Sequence, residues 1–172
     1  MLAPRRTLHS TPLVVFRKAL EVICATKDDV LYDVGCGDGR CVVDAASRLR
    51  IRSIGIEIDP DRAAQASAAV RDAGVEELAT IIIGNAMEYD FEDATIIFLF
   101  LIERGLRLIL PKLQQRTRPC RVVTYLYKIP GIAFSSRHVV PVKESSNDVA
   151  FPIFVYEFPA AAESDNISSL SA

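Results

Sequence analysis

An α/β fold on a mostly parallel sheet is what this sequence predicts, and three observations lead there. Segments of strand character alternate with segments of helical character along most of the chain. The central strand candidates, among them 94–100, are nearly continuous apolar runs, as strands covered on both faces require. A glycine-dense turn, Gly35-Cys36-Gly37-Asp38-Gly39, joins the first strand to the following helix, the place where open parallel sheets present their ligand sites.

The elements follow in order. Thr11-Pro12 reads as an N-cap with proline at the first helical position, and Phe16, Leu20 and Ile23 then fall at helical spacing, predicting a helix over 12–25. Lys27-Asp28-Asp29 is a turn. Residues 30–34 form the first strand. A helix over 39–50 gathers Val42, Val43, Ala46 and Leu49 on one side. Residues 53–57 are the second strand. Asp59-Pro60 caps an alanine-rich helix that ends near Gly74. Residues 79–83 and 94–100 are the third and fourth strands. A helix starts at about Glu103 and is kinked or ended near Pro111. Residues 121–126 are the fifth strand, with Tyr125 and Tyr127 on opposite faces. Two extended segments lie between Val139 and Phe158, and the five polar residues 144–148 read as the loop of a terminal antiparallel hairpin. One domain is expected over 12–159, between a flexible basic segment at 1–11 and a disordered tail at 160–172.

Composition narrows the classes. The 172 residues are 50% hydrophobic and 24% charged, enough to fill a core and too apolar for a disordered chain. A net charge of −2 sets up no field that would grip bare nucleic acid. No apolar stretch reaches the ~20 residues of a membrane span. Four cysteines, at 24, 36, 41 and 120, lack the spacing of a disulfide framework or a zinc ribbon, and only His9 and His138 are present, so free thiols and no metal are expected. The early arginines and lysine, without an acid before Glu21, allow a mitochondrial presequence, against the plainer reading of a basic tail on a cytoplasmic protein.

The candidate site lies at the ends of the first four strands. Asp33 sits two residues before a GxGxG turn, whereas a dinucleotide site would carry GxGxxG. A carboxylate there repels a pyrophosphate and attracts an ammonium or sulfonium, so the ligand is cationic, with S-adenosylmethionine as the example. Glu57 ends the second strand about twenty residues on, the place of a ribose-binding acid. Ile58 can pack on an adenine face. Asn85 can bond its exocyclic amine, and the backbone of Ala86 can meet a ring nitrogen.

These residues together resemble the class I, seven-strand S-adenosylmethionine-dependent methyltransferases, over residues 12–158. The resemblance implies a Rossmann-like, doubly wound, mostly parallel sheet with an antiparallel C-terminal strand. It assigns Asp33, Gly35, Cys36, Gly37 and Gly39 to the methionine part of the cofactor, Glu57 to the ribose and Asn85 to adenine, where the family more often has aspartate. Phe100, at the end of the fourth strand, is placed with the cofactor residues. Ser10-Thr11-Pro12, Asp33 to Arg40 and Asp93 to Leu101 further resemble a group of small enzymes. That group includes lysine methyltransferases of the ATP synthase c subunit and the adenine nucleotide translocase, which implies a protein lysine as acceptor.

Absent motifs narrow the acceptor. No Asn/Asp-Pro-Pro-Tyr turn follows the fourth strand, and Cys120 reads as a core thiol and not a cytosine-attacking nucleophile. Phe100, Glu103, Tyr125 and Tyr127 could form an acceptor mouth, with Glu103 and Tyr125 the candidates for a catalytic role. Glu103 equally suits the first turn of a helix, and His138 reads as structural. Arg104, Arg107, Lys112, Arg116, Arg118 and Arg121 form a basic run that could dock an acidic partner or RNA, or be a solvated helix face. The other functions left open are a small-molecule methyltransferase and a non-catalytic, partner-binding subunit.

Overall fold

Parallel pairing of β-branched strands sets the frame. The computed structural model describes residues 10–144 and 147–161. These hold α1 (Leu13–Val22), β1 (Val30–Val34), α2 (Arg40–Leu49), β2 (Arg52–Glu57), α3 (Pro60–Asp72), β3 (Ala79–Ile83), β4 (Ile96–Leu99), α4 (Glu103–Gln114), β5 (Cys120–Tyr125), β6 (Ser136–Glu144) and β7 (Asn147–Phe158). Among the described residues the seven strands make one sheet in the order β3-β2-β1-β4-β5-β7-β6. β1 to β5 are parallel, and the chain order reverses between β1 and β4, so the carboxyl ends of β1, β2 and β4 open a crevice there.

Strand alternation sends successive side chains to opposite faces. Leu31, Ile96, Phe98 and Val123 pack under α1 and α2, with Phe16 set edge-on to Phe98 at a ring distance of 5.1 Å. Tyr32, Val34, Ile97, Leu99 and Val122 pack on the other face against Leu106, Ile109 and Leu113 of α4. α3 leans on α2 through Ala66 and Val70. The sheet is therefore covered on both faces, as its apolar strands require. The helices are uneven, however: α1, α2 and α3 share one side, and α4 shares the other with the non-helical segments carrying Phe91 and Ile129.

Several local expectations change. Pro12 takes the N-cap place itself, with extended backbone, so α1 begins one residue later than its sequence pattern suggests. α4 continues through Pro111 to Gln114. Fully buried Leu106, Ile109 and Leu113 hold its apolar face to the sheet, and that burial outweighs the hydrogen bond that proline removes. The antiparallel C-terminal strand is present as expected: β7 runs between β5 and β6. β6 and β7 pair as far as Glu144 with Asn147, so most of the predicted five-residue loop is strand. Residues 145–146 lie outside the described residues, as do 1–9 and 162–172, on which the presequence and most of the tail expectation fall. Tyr125 and Tyr127 do not share a strand. Leu126 takes a left-handed backbone (φ 68°), which ends β5 at Tyr125 and leaves Tyr127 in the loop beyond it.

The basic run is dispersed. Arg116 is buried and clamps the carbonyls of Phe91, Glu92 and Ala94. Arg121 donates to the Ile23 carbonyl and to Asp29. Lys112 donates to the Tyr89 carbonyl, and Arg107 is paired with Glu103. Three of the six cations, Lys112, Arg116 and Arg121, thus tie distant segments together, while Arg107 pairs along the exposed face of its own helix. All four thiols are free, and Cys120 is buried, as read from the sequence. No helix among the described residues is long and apolar enough to cross a membrane.

Candidate functional site

The turn after β1 is built from left-handed backbone. Gly35, Gly37 and Gly39 have φ of 82°, 58° and 77°, a region that a side chain disfavours. Gly39 is also where α2 approaches α3. A Cβ there would come within 2.8 Å of the Ala66 Cβ and 3.0 Å of its Cα. Gly39→Ala should therefore lower stability by about 2 kcal/mol or more through strain and clash, read as a fall in the urea midpoint; an unchanged midpoint would show that α2 and α3 can separate freely. Gly55, which the sequence marks only as a strand residue, makes room for the loop from below. A Cβ on it would lie 2.6 Å from Cys36 Sγ.

The amides of this loop point inward. Gly35 and Cys36 donate to the Ile56 carbonyl at 2.8 and 3.1 Å, and Gly39 donates to the Cys36 carbonyl at 3.0 Å. Gly37 donates to Glu57 Oε2 at 2.8 Å, and Asp59 donates to Glu57 Oε1 at 3.0 Å. Glu57 is consequently buried and fixed in orientation by two backbone amides. Each of its oxygens keeps a lone pair for a further donor.

Asp33 is the opposite case. It is 4% exposed, and its carboxylate accepts no hydrogen bond among the described residues. Burial, then the nearby charges of Glu57 and Asp38, push its carboxyl up to about 7. Asp38 itself is held below the usual carboxylate range by its hydrogen bonds with Arg40. The Cys36 thiol is pushed far up by burial and the same acids, so it offers no thiolate nucleophile.

Two cavities meet at Gly35. The larger, of about 370 Å³, is lined by Asp33, Cys36, Gly37 and Phe100 from the predicted set, and also by Thr11, Arg62 and Tyr127. The smaller, of about 200 Å³, is lined by Glu57, Ile58, Asn85 and Ala86, together with Leu101 and Leu108. Of the predicted cofactor residues, only Gly39 lines neither; it acts through helix packing. Asn85 caps the turn at Ala86–Glu88, its side-chain oxygen accepting from the Met87 amide at 3.0 Å. The residues that sequence reasoning missed come from outside the glycine loop and its acids. Arg62 lies on α3 and Leu108 on α4, and neither carries a local signal beyond its helix pattern, whereas Thr11 stands in a motif of the resemblance, Ser10-Thr11-Pro12, without being assigned to the site.

The two catalytic candidates are not brought to the cavities. Glu103 is exposed and paired with Arg107 at 2.7 Å. Tyr125 is buried behind Phe100, ring to ring at 4.7 Å, and touches Phe151 on its far side. His138 lies on β6, its ring nitrogen 3.1 Å from Ser136 Oγ. Among the described residues no group of three His, Cys, Asp or Glu side chains could hold a metal ion.

The donor set fits a cationic, nucleoside-bearing ligand. The amides of Gly35, Cys36, Gly37 and Gly39 are bonded within the protein and so are not offered to a pyrophosphate, the Asp33 carboxylate lines the large cavity without a hydrogen-bond partner among the described residues, and a fixed carboxylate with free lone pairs stands beside the small apolar one.

Comparison with known proteins agrees with that chemistry. A family model described as the ANTKMT methyltransferase domain matches residues 33–136. A protein-lysine N-methyltransferase of Saccharolobus islandicus (strain REY15A) is 33% identical over 147 residues, covering 84% of this chain and 90% of the relative. The crystal structure of an RNA methyltransferase from Salinibacter ruber, solved with S-adenosyl-L-homocysteine, superposes with a TM-score of 0.78 at 29% identity, covering 91% of this chain and 98% of that one. A precorrin 8w decarboxylase of Methanobacterium thermoautotrophicum shares the fold at a TM-score of 0.66 and 18% identity, covering 89% and 93%.

Proposed function

The chain belongs to the ANTKMT methyltransferase domain family and is an S-adenosylmethionine-dependent methyltransferase, and from that premise we propose that it methylates the side-chain amine of a lysine in a protein. The observation that carries the acceptor is the 33% identity, over 84% of the chain, with a protein-lysine N-methyltransferase. The mouth of the site supports it. Phe100, Ile102 and Tyr127 line the large cavity beside Asp33. An apolar sleeve of this kind suits the four-carbon stem of lysine.

In this reading Asp33 holds the cofactor's ammonium, and Glu57 accepts from the ribose hydroxyls. Ile58, Leu101 and Leu108 enclose the adenine, with Asn85 and Ala86 at its polar edge. When bound, the cofactor supplies a methyl group already activated on a sulfonium. The chain's task is then to orient and to desolvate. A lysine amine in water loses its proton only near pH ~10.4, and it attacks only without that proton. The apolar mouth disfavours the charged form and so raises the neutral fraction. The nitrogen lone pair takes the methyl as the carbon–sulfur bond electrons return to sulfur, and the amine proton goes to water.

A second reading is an RNA acceptor, which the name of the Salinibacter ruber relative favours. The charge arrangement argues against it. Arg40, at the cavity rim, is bound to Asp38 at 2.6 Å, and Arg116 and Arg121 are spent on the fold. Methyl-labelled cofactor added with the protein to an extract decides between them. The expected result is label that protease releases, recovered as methyllysine after hydrolysis. Label released by ribonuclease would establish the RNA reading, and label in the small-molecule fraction a metabolite acceptor. Cofactor binding without any transfer would point to the non-catalytic subunit.

A further inference from the structure

The turn that follows β5 is held more tightly than a surface connection requires. Leu126 has a left-handed backbone, φ 68°, which a leucine keeps only where its surroundings impose it. Hydrogen bonds impose it here. The Leu126 amide donates to the Pro152 carbonyl at 3.0 Å, and the Tyr127 amide to the Tyr125 carbonyl at 2.9 Å. Thr124 is fully buried, and its hydroxyl donates to the Tyr127 carbonyl at 2.6 Å. Two residues on, the Ile129 amide donates to the hydroxyl of buried Tyr156 at 2.9 Å. A satisfied polar network of this kind rigidifies what lies on it. What lies on it is Tyr127. This residue is 42% exposed and lines the large cavity with Phe100 and Ile102, and its hydroxyl has no partner among the described residues. Its main chain is taken up by the turn, so its side chain is what it offers a ligand. Tyr125, by contrast, is packed between Phe100 and Phe151.

We propose that the Tyr127 hydroxyl orients the acceptor lysine, and that Thr124 sets the place of Tyr127 through its carbonyl. The inference rests on the lysine reading above and gives it a residue that acts on the acceptor instead of the cofactor. The neutral amine donates one N–H to the Tyr127 hydroxyl oxygen, which turns its lone pair toward the methyl. Tyr127 takes no proton. The nitrogen–carbon bond forms as the carbon–sulfur bond breaks, its electrons return to sulfur, and the proton passes from nitrogen to water. Tyr127 touches the substrate, whereas Thr124 is a positioning residue that acts only through it.

Saturating methyl-labelled cofactor, with a cell extract as the source of acceptor protein, tests it through the rate of methyllysine formation as the extract is raised. Tyr127→Phe should lower the plateau rate about tenfold, the upper scale of one neutral hydrogen bond. The extract needed for half the plateau, and the calorimetric affinity for S-adenosylhomocysteine, should not change. Thr124→Val, which is isosteric, should lower the plateau in the same way, and Thr124→Ser should restore it. Added to Tyr127→Phe, Thr124→Val should lower it no further, because the two act as one unit. An unchanged plateau in Tyr127→Phe, or a matching loss of S-adenosylhomocysteine affinity, overturns the role of Tyr127. No loss in Thr124→Val, or single losses that multiply in the double variant, overturns that of Thr124. Either result leaves the lysine reading in place. A wild-type protein that puts no methyl into protein lysine overturns both. Melting curves of each variant separate a lost rate from a lost fold.

Discussion

Asp33→Asn is expected to make the protein more stable and to remove most of its affinity for the cofactor. In the folded chain the Asp33 carboxyl is raised from 3.8 to about 7. With the folded value above the unfolded one, the folded state binds the extra proton. The contribution to stability is fully present below about pH 4 and is lost as pH rises through about 7. Above pH 7 a buried, unpartnered carboxylate opposes folding. A shift of this size corresponds to on the order of 4 kcal/mol at most. Asparagine stays neutral at every pH. Its Tm at pH 8 should exceed the wild type's by about 5 °C, with the difference vanishing near pH 4. Calorimetry should show the opposite for S-adenosylhomocysteine, a loss of about hundredfold at pH 8. Wild-type affinity should itself decline as pH falls below 7 and Asp33 gains a proton. An asparagine variant no more stable than wild type at pH 8, and binding normally, would sink the assignment.

Glu57→Ala should fail in a different way. Here the carboxylate both meets the ligand and holds the Gly37 and Asp59 amides. Alanine removes two hydrogen bonds to a charged acceptor, each contributing about 1.5 kcal/mol or more. Stability and binding should therefore fall together: a lower Tm, and an affinity for S-adenosylhomocysteine reduced about a hundredfold or beyond. Glu57→Gln keeps one acceptor oxygen and should lose about tenfold. A truncated ligand separates the two acids. 5′-Methylthioadenosine keeps the ribose and lacks the amino-acid end, so Glu57→Ala should weaken it as severely, while Asp33→Asn should spare it. The reverse pattern would exchange the roles assigned to the two acids.

Both acids were legible because they sit in local patterns. Asp33 stands two residues before the first glycine of a strand–turn–helix unit, and Glu57 ends the next strand. Their opposite states were not legible. Glu57 is hydrogen-bonded because the loop folds back over β2, and Asp33 is left without a partner while the amides of Gly35, Cys36, Gly37 and Gly39 are used elsewhere. Glu103 and Tyr125 show the converse limit. Chain topology places them near the carboxyl edge, but Glu103 turns to Arg107 on the next helical turn, and Tyr125 is held behind the ring of Phe100. The basic run misleads for the same reason. Spacing along the chain cannot show that Arg116 and Arg121 bend inward to carbonyls 22 and 98 residues away.

By itself the sequence determined the alternation of strands and helices, the glycine loop and the two acids, because each is written in residues adjacent along the chain. Only the tertiary structure decided where β7 inserts, which amides remain to bind a ligand, how strongly Asp33 holds its proton, and that Thr11 and Arg62 line one cavity. Those properties depend on which groups from distant segments desolvate or bond one another, and that is set when the sheet and its helices pack.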